Sequence, residues 1–75
     1  MPQPKKPAPF DTLTIAEFDV IEAVLGGYRQ KDIAIQLGRH YSTVSEQRKA
    51  AFKKLSVRSD VDLAKLALRV GLIQL

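Results

Sequence analysis

All four prolines of this 75-residue chain fall within its first nine residues, MPQPKKPAP, and none occurs from Phe10 onward. Proline lacks a backbone donor and clashes with the preceding helical turn, so broken or extended backbone is confined to the start. Beyond it, apolar residues return every three or four positions, the period of a helix with one buried face. The predicted organisation is a proline-rich flexible arm or linker over residues 1–9, polyproline-like and extended, then one all-α domain over residues 10–75. A chain of this length buries only about 60% of the surface its unfolded form exposes, enough for a single small core. With no cysteine and one histidine, neither a disulfide nor a structural zinc site of nitrogen and sulfur ligands supports that core, and no metal or cofactor is expected. No apolar run approaches the roughly 18 residues that cross a bilayer, and the N-terminus lacks a signal-peptide stretch, so a soluble, cytoplasmic protein without a membrane partner is expected.

Local signals divide the domain into four helices. Thr14-Ile15-Ala16-Glu17 is a capping box flanked by Leu13 and Phe18 at the two staple positions, and it opens a helix over 15–25. Val20, Ile21, Val24 and Leu25 form its inner face, Asp19 and Glu22 its wet face, and Gly26-Gly27 its left-handed stop. A second helix is predicted over 30–37, with Ile33, Ala34 and Leu37 inward and Gly38 ending it. A third covers 42–55. Ser59 with Asp62 three positions later caps a fourth over 60–70, which Gly71 stops.

Charge is unevenly distributed over these elements. Residues 39–58 hold six basic residues and one acidic, whereas the segments on either side are close to neutral. The positive excess therefore belongs to the third helix and its flanks. Two helices joined by Gly38-Arg39-His40, with the basic residues on the second, read as a helix-turn-helix. Gln30, Ala34, Gly38 and Val44 stand at relative positions 1, 5, 9 and 15. There the unit needs a small residue at the helix crossing, a glycine in the turn, and an aliphatic returning to the core. On the third helix Val44, Ala51, Phe52 and Leu55 make an apolar stripe, while Ser42, Ser45, Glu46, Lys49 and Lys53 share the other side. Small polar groups first and lysines later suit a helix that enters a major groove by its N-terminal end. The plainer alternative is a three-helix core whose solvated surface is basic.

The motifs Leu13-Thr14-x-x-Glu17, Gly27, Lys31-Asp32-Ile33-Ala34-x-x-Leu37, Ser42-Thr43-Val44, Lys54-Leu55-x-Val57-Arg58-Ser59 and Ala67-Leu68-Arg69-x-Gly71-Leu72 carry a family resemblance. Together they resemble the DNA-binding domain of the LuxR/NarL family, also called GerE-like. The run Thr43 to Lys49 with Lys54-Leu55 is most similar to the Rcs-type response regulators of that family. The resemblance covers Leu13 to Ile73. It implies a bacterial transcription regulator with a four-helix, LuxR-type helix-turn-helix output domain that binds double-stranded DNA. The third helix would read the major groove and the fourth would pair two copies. Carried over residue by residue, it assigns base readout to Ser45, Glu46 and Lys49, and backbone contacts to Lys31, Thr43 and Lys53, to which Ser42 is added from its place on the same face.

Departures from the pattern raise their own expectations. The family usually has an aliphatic-serine pair before the third helix, whereas this chain has Arg39-His40, so the serine cap is missing and the helix is expected to start at Ser42. Arg39 would gain a phosphate contact at the expense of turn packing. Arg29 stands where a small capping residue is common. Glu46 is either a reader of a cytosine amino group or a solvent-facing acid, and Gln47 is either half-buried or a base reader.

Val61, Ala64 and Leu68, with the tail residues Leu72, Ile73 and Leu75, form an apolar set beyond what the core needs. A homodimer through Val61, Ala64, Leu68 and Leu72 is therefore expected, the alternative being a tail folded back over that stripe. No nucleophile with a positioned base, carboxylate pair or glycine-rich phosphate loop is present, and His40 alone makes no catalytic set, so no enzyme is expected. Tyr28 and Tyr41 are too few and too far apart for a single-strand stacking platform. The rival reading is a protein-interaction module resembling the promoter-binding region of a sigma factor, and RNA polymerase is a possible partner in either case. The arm resembles an interdomain linker, so the chain is expected to be either an output domain following another domain or a free-standing regulator.

Overall fold

The first helix begins where the two halves of its capping box meet. In a computed structural model of the protein, which describes residues 6–74, the Thr14 hydroxyl accepts from the Glu17 amide at 3.1 Å. The Thr14 amide in turn donates to Glu17 Oε1 at 2.9 Å. This orders α1, Ile15–Leu25. It is followed by α2, Gln30–Leu37, α3, Tyr41–Leu55, and α4, Asp60–Arg69. The described residues hold no strand, so the all-α expectation is met. No helix among them is long and apolar enough to cross a membrane.

Two boundaries shift by one residue. The third helix starts at Tyr41, not Ser42, because His40 already takes the extended conformation of an N-cap, φ −66° and ψ 147°, without a side-chain bond. The fourth ends at Arg69, with Val70 as its half-helical cap. The N-terminal arm also differs from the extended segment predicted. Its residues 1–5 lie outside the described residues, but the Phe10 amide donates to the Pro7 carbonyl and the Thr12 amide to that of Pro9. The chain thus turns into a single 3-10 turn, Phe10–Thr12. Burial of Phe10, which has no exposed surface, accounts for the turn: an extended arm would leave that ring in water. Lys6 caps the outside of this corner, its ammonium 4.2 Å from the centre of the Phe18 ring.

The core has two parts. Phe10, Leu13 and Ile21 meet Ala51, Phe52 and Leu55 of α3 and Leu63 and Ala67 of α4. Val20 meets Ile33, Ala34 and Val44, joining α1, α2 and the first turns of α3. The second cluster sets the angle at which α3 leaves the turn. Leu72 and Ile73 pack against the first cluster, and both amides donate to the Ala67 carbonyl. The tail does fold back, but onto the end of α1, beside Leu25 and Gly26, leaving Val61 62% and Leu68 38% exposed. Leu72, expected at a dimer interface, is half-buried, one side of it packed against the protomer's own first cluster.

Candidate nucleic-acid interface

Gly38 makes the turn between α2 and α3. It sits at φ 64°, in the left-handed region where only glycine avoids a Cβ clash. There its amide donates to Ile35 and that of Arg39 to Ala34. Ala34 at the crossing and Val44 on α3 are both buried, so the small, glycine and aliphatic positions of the helix-turn-helix spacing meet as a packed unit. Arg29 precedes α2 as an N-cap with no side-chain bond.

With Val44, Ala51, Phe52 and Leu55 turned inward, Ser42, Glu46, Lys49 and Lys53 form one exposed stripe along α3. Ser45 and Thr43 are half-buried at its edges, and Lys31 is exposed on α2.

Charges on and around α3 fall into two groups. Arg39, Arg48 and Lys54 are committed within the protein, to Asp19, Asp60 and Glu17 respectively. Arg48 also lies over the Phe52 ring, 4.3 Å from its centre. Among the described residues, Lys49, Lys53 and Arg58 have no acidic partner, and Glu46 has no basic one. Half of the basic residues on this segment thus tie α3 and the turn before it to α1 and α4, and the other half are exposed.

Arg39 is the clearest departure from expectation. Its Nη1 donates to the Ala16 carbonyl at 3.1 Å and to Gln47 Oε1 at 3.0 Å, and its Nη2 to Asp19 at 3.1 Å. These bonds turn the guanidinium toward α1, because three good acceptors lie within reach of its planar fork. Gln47 is correspondingly half-buried and engaged.

Lys54 and Glu17 form a second bridge from α3 to α1, with Nζ 2.7 Å from Oε1. The lysine, followed by the Thr14 amide, holds the Glu17 carboxyl below its ordinary range against the opposing effect of burial. Sequence reading found Glu17 as a cap but not this partner. It left Ile35 unremarked and gave Tyr41 no role; the two, 70% and 58% exposed, line an apolar concavity outside the turn with Lys31 and His40. Ile35 was legible in principle, since it falls off the 33, 34, 37 spacing of the inner face.

Of the four residues expected at a dimer contact, Val61, Ala64 and Leu68 share one face of α4, Ala64 half-buried between the other two.

Residues 11–67 match the sequence pattern of the bacterial regulatory proteins of the luxR family. The chain is 35% identical over 71 residues to the response regulator GacA of Pseudomonas protegens, covering 95% of this chain and 33% of that protein. Over 66 residues it is 35% identical to GacA of Pseudomonas aeruginosa, covering 88% and 31%. Against the response regulator UvrY of Escherichia coli it is 34% identical over 68 residues, covering 91% and 31%. The chain spans about a third of the length of the curated relatives it matches.

Proposed function

The chain belongs to the luxR family of bacterial regulatory proteins, and from that premise we propose that it binds double-stranded DNA sequence-specifically, as a dimer, to regulate transcription in the cytoplasm. The observation that carries this reading is the α3 stripe. Ser42, Glu46, Lys49 and Lys53 are exposed together on a helix whose opposite face is locked into the core. Lys49 and Lys53 keep their charges free while neighbouring cations are neutralised.

In this reading α3 enters the major groove, with Ser45, Glu46 and Lys49 at base edges. Lys31, Ser42, Thr43 and Lys53 hold the phosphate backbone, which supplies most of the affinity. Arg39 drops out of that set because its guanidinium is already engaged. Val61, Ala64 and Leu68 pair two protomers on a two-fold site.

Selection of bound sequences from a random duplex pool tests the proposal. A two-fold motif is the expected outcome, and Lys49→Ala should weaken binding to it by about 1–3 kcal/mol while hardly changing affinity for random DNA. Weak, sequence-blind binding would favour the interaction-module reading instead.

A further inference from the structure

We propose that Arg39 is a positioning residue for the recognition helix, setting the pitch of α3 against α1 through Asp19, the Ala16 carbonyl and Gln47, so that Asp19 contributes to operator discrimination without meeting DNA. This rests on the DNA-binding reading above and assigns a role to residues outside the α3 stripe.

The second core cluster fixes how closely α3 packs at the turn, but the side chains of the turn itself supply few directional polar restraints. His40, the N-cap of α3, makes no side-chain cap, and Gly38 contributes no side chain. Arg39, the remaining residue of the three-residue turn, reaches two helices at once: Ala16 and Asp19 on α1 and Gln47 in the second turn of α3. Its side chain is 24% exposed and that of Asp19 is 37% exposed, so water competes only in part for these bonds. A guanidinium is planar and donates in fixed directions, so three acceptors on two helices constrain orientation as well as distance. An aliphatic residue packed at the same place would constrain distance alone. Gln47 lies one residue after Glu46 and two before Lys49, so a rotation of α3 about this anchor moves the proposed base readers directly. Contacts to base edges tolerate only small misplacement.

The sign of the Asp19 effect separates this proposal from its competitors. Neutralising an acid on a DNA-binding protein raises affinity for every duplex through the general field, and freeing Arg39 for phosphate would raise it further. Positioning demands the opposite for the preferred site. The experiment measures binding of the 75-residue chain and its Asp19→Asn, Arg39→Met and doubly substituted variants to the selected duplex and to random duplex, over a range of salt, with circular dichroism of each. Asp19→Asn should lose about tenfold on the preferred duplex, the equivalent of one base contact. Its random-duplex affinity should be undiminished and its salt slope unchanged. The double variant should bind no more weakly than Arg39→Met alone, because both substitutions remove one device. If Arg39→Met fails to fold, the near-isosteric Asp19→Asn carries the test by itself. Tighter binding of Asp19→Asn to all DNA with a steeper salt slope would overturn the proposal by making Arg39 a phosphate contact that Asp19 holds back. Preferred-site affinity within twofold of the parent would overturn it by reducing the pair to a fold contact. A parent chain that selects no sequence would overturn both this proposal and the DNA-binding reading.

Discussion

Glu17 shows how one side chain comes to serve two levels of structure. Its carboxylate closes the capping box locally and receives Lys54 from 37 residues away. The folded protein favours its ionised form, so its contribution is complete above the ordinary value near 4.5 and is lost as pH falls through the lowered one. Glu17→Gln retains an oxygen for the Thr14 amide and removes only the charge. It should therefore cost about 1 kcal/mol at neutral pH, a figure reduced for the partly exposed lysine. The difference from the parent should vanish below the lowered value. Urea unfolding at pH 7 and at steps down through the acid range reads both; a difference that did not shrink as the pH fell would mean that shape, not charge, is at stake. Half of this residue was legible in the sequence. A cap acts across three positions and shows in any window, whereas the lysine is brought near only by α1 and α3 packing. The bonds of Arg39 to α1 were hidden for the same reason, their acceptors standing 20 and 23 residues away on another helix.

All four helices end with the same pair of reversed hydrogen bonds. The pairs run Tyr28 to Ala23 with Gly27 to Val24, Arg39 to Ala34 with Gly38 to Ile35, Val57 to Phe52 with Ser56 to Lys53, and Leu72 to Ala67 with Gly71 to Leu68. In each the residue at the reversal has positive φ, and three of the four are glycine, with Ser56 at φ 56° the exception. A left-handed residue with a Cβ costs about 1–2 kcal/mol, and glycine gives back about 0.5–1 in chain entropy. Ser56→Gly should therefore stabilise the domain by about 0.5 kcal/mol, a rise of about 2–4 °C in a domain this size. A thermal scan that showed no rise, or a fall, would mean that the serine hydroxyl contributes more than its strain costs. Helix stops were readable at the glycines because the residue type announces the conformation. The start of α3 was placed one residue late because His40 bears no capping oxygen, and an N-cap held by backbone geometry alone leaves no mark in sequence.

For the molecule as a whole, the open question is how much apolar surface the protomer can bury alone. Leu72 and Ile73 close over α1, while Val61 and Leu68 stay in contact with water. Leu68→Glu should leave helicity intact and abolish cooperative binding to half-sites centred about 10 base pairs apart. Leu72→Glu, by contrast, should unfold part of the domain whether or not DNA is present, because it inserts a charge beside the core. Sedimentation with a two-site duplex, paired with circular dichroism, distinguishes the two. An undiminished two-protomer complex in Leu68→Glu would place the interface elsewhere. Two exposed positions and a half-buried alanine on one ten-residue helix fall short of the roughly 800 Å² per partner of a stable interface. Association should accordingly be weak in the free protein and become evident on DNA.

The sequence by itself determined the number and order of the helices, their limits to within one residue, their buried faces, the helix-turn-helix register and the family. All of these depend on spacings shorter than one helix or on residue types whose backbone preference is intrinsic. Only the tertiary structure decided which cations near α3 are free, where the tail packs, and what Arg39, Gln47 and Lys54 hold. Those outcomes turn on which groups from distant parts of the chain come within about 3 Å of one another, the reach of a hydrogen bond. A charge count along the chain treats Arg39, Lys49 and Lys54 alike. Asp19 and Glu17, presented by α1, take two of them, whereas Lys49 has no acidic partner among the described residues.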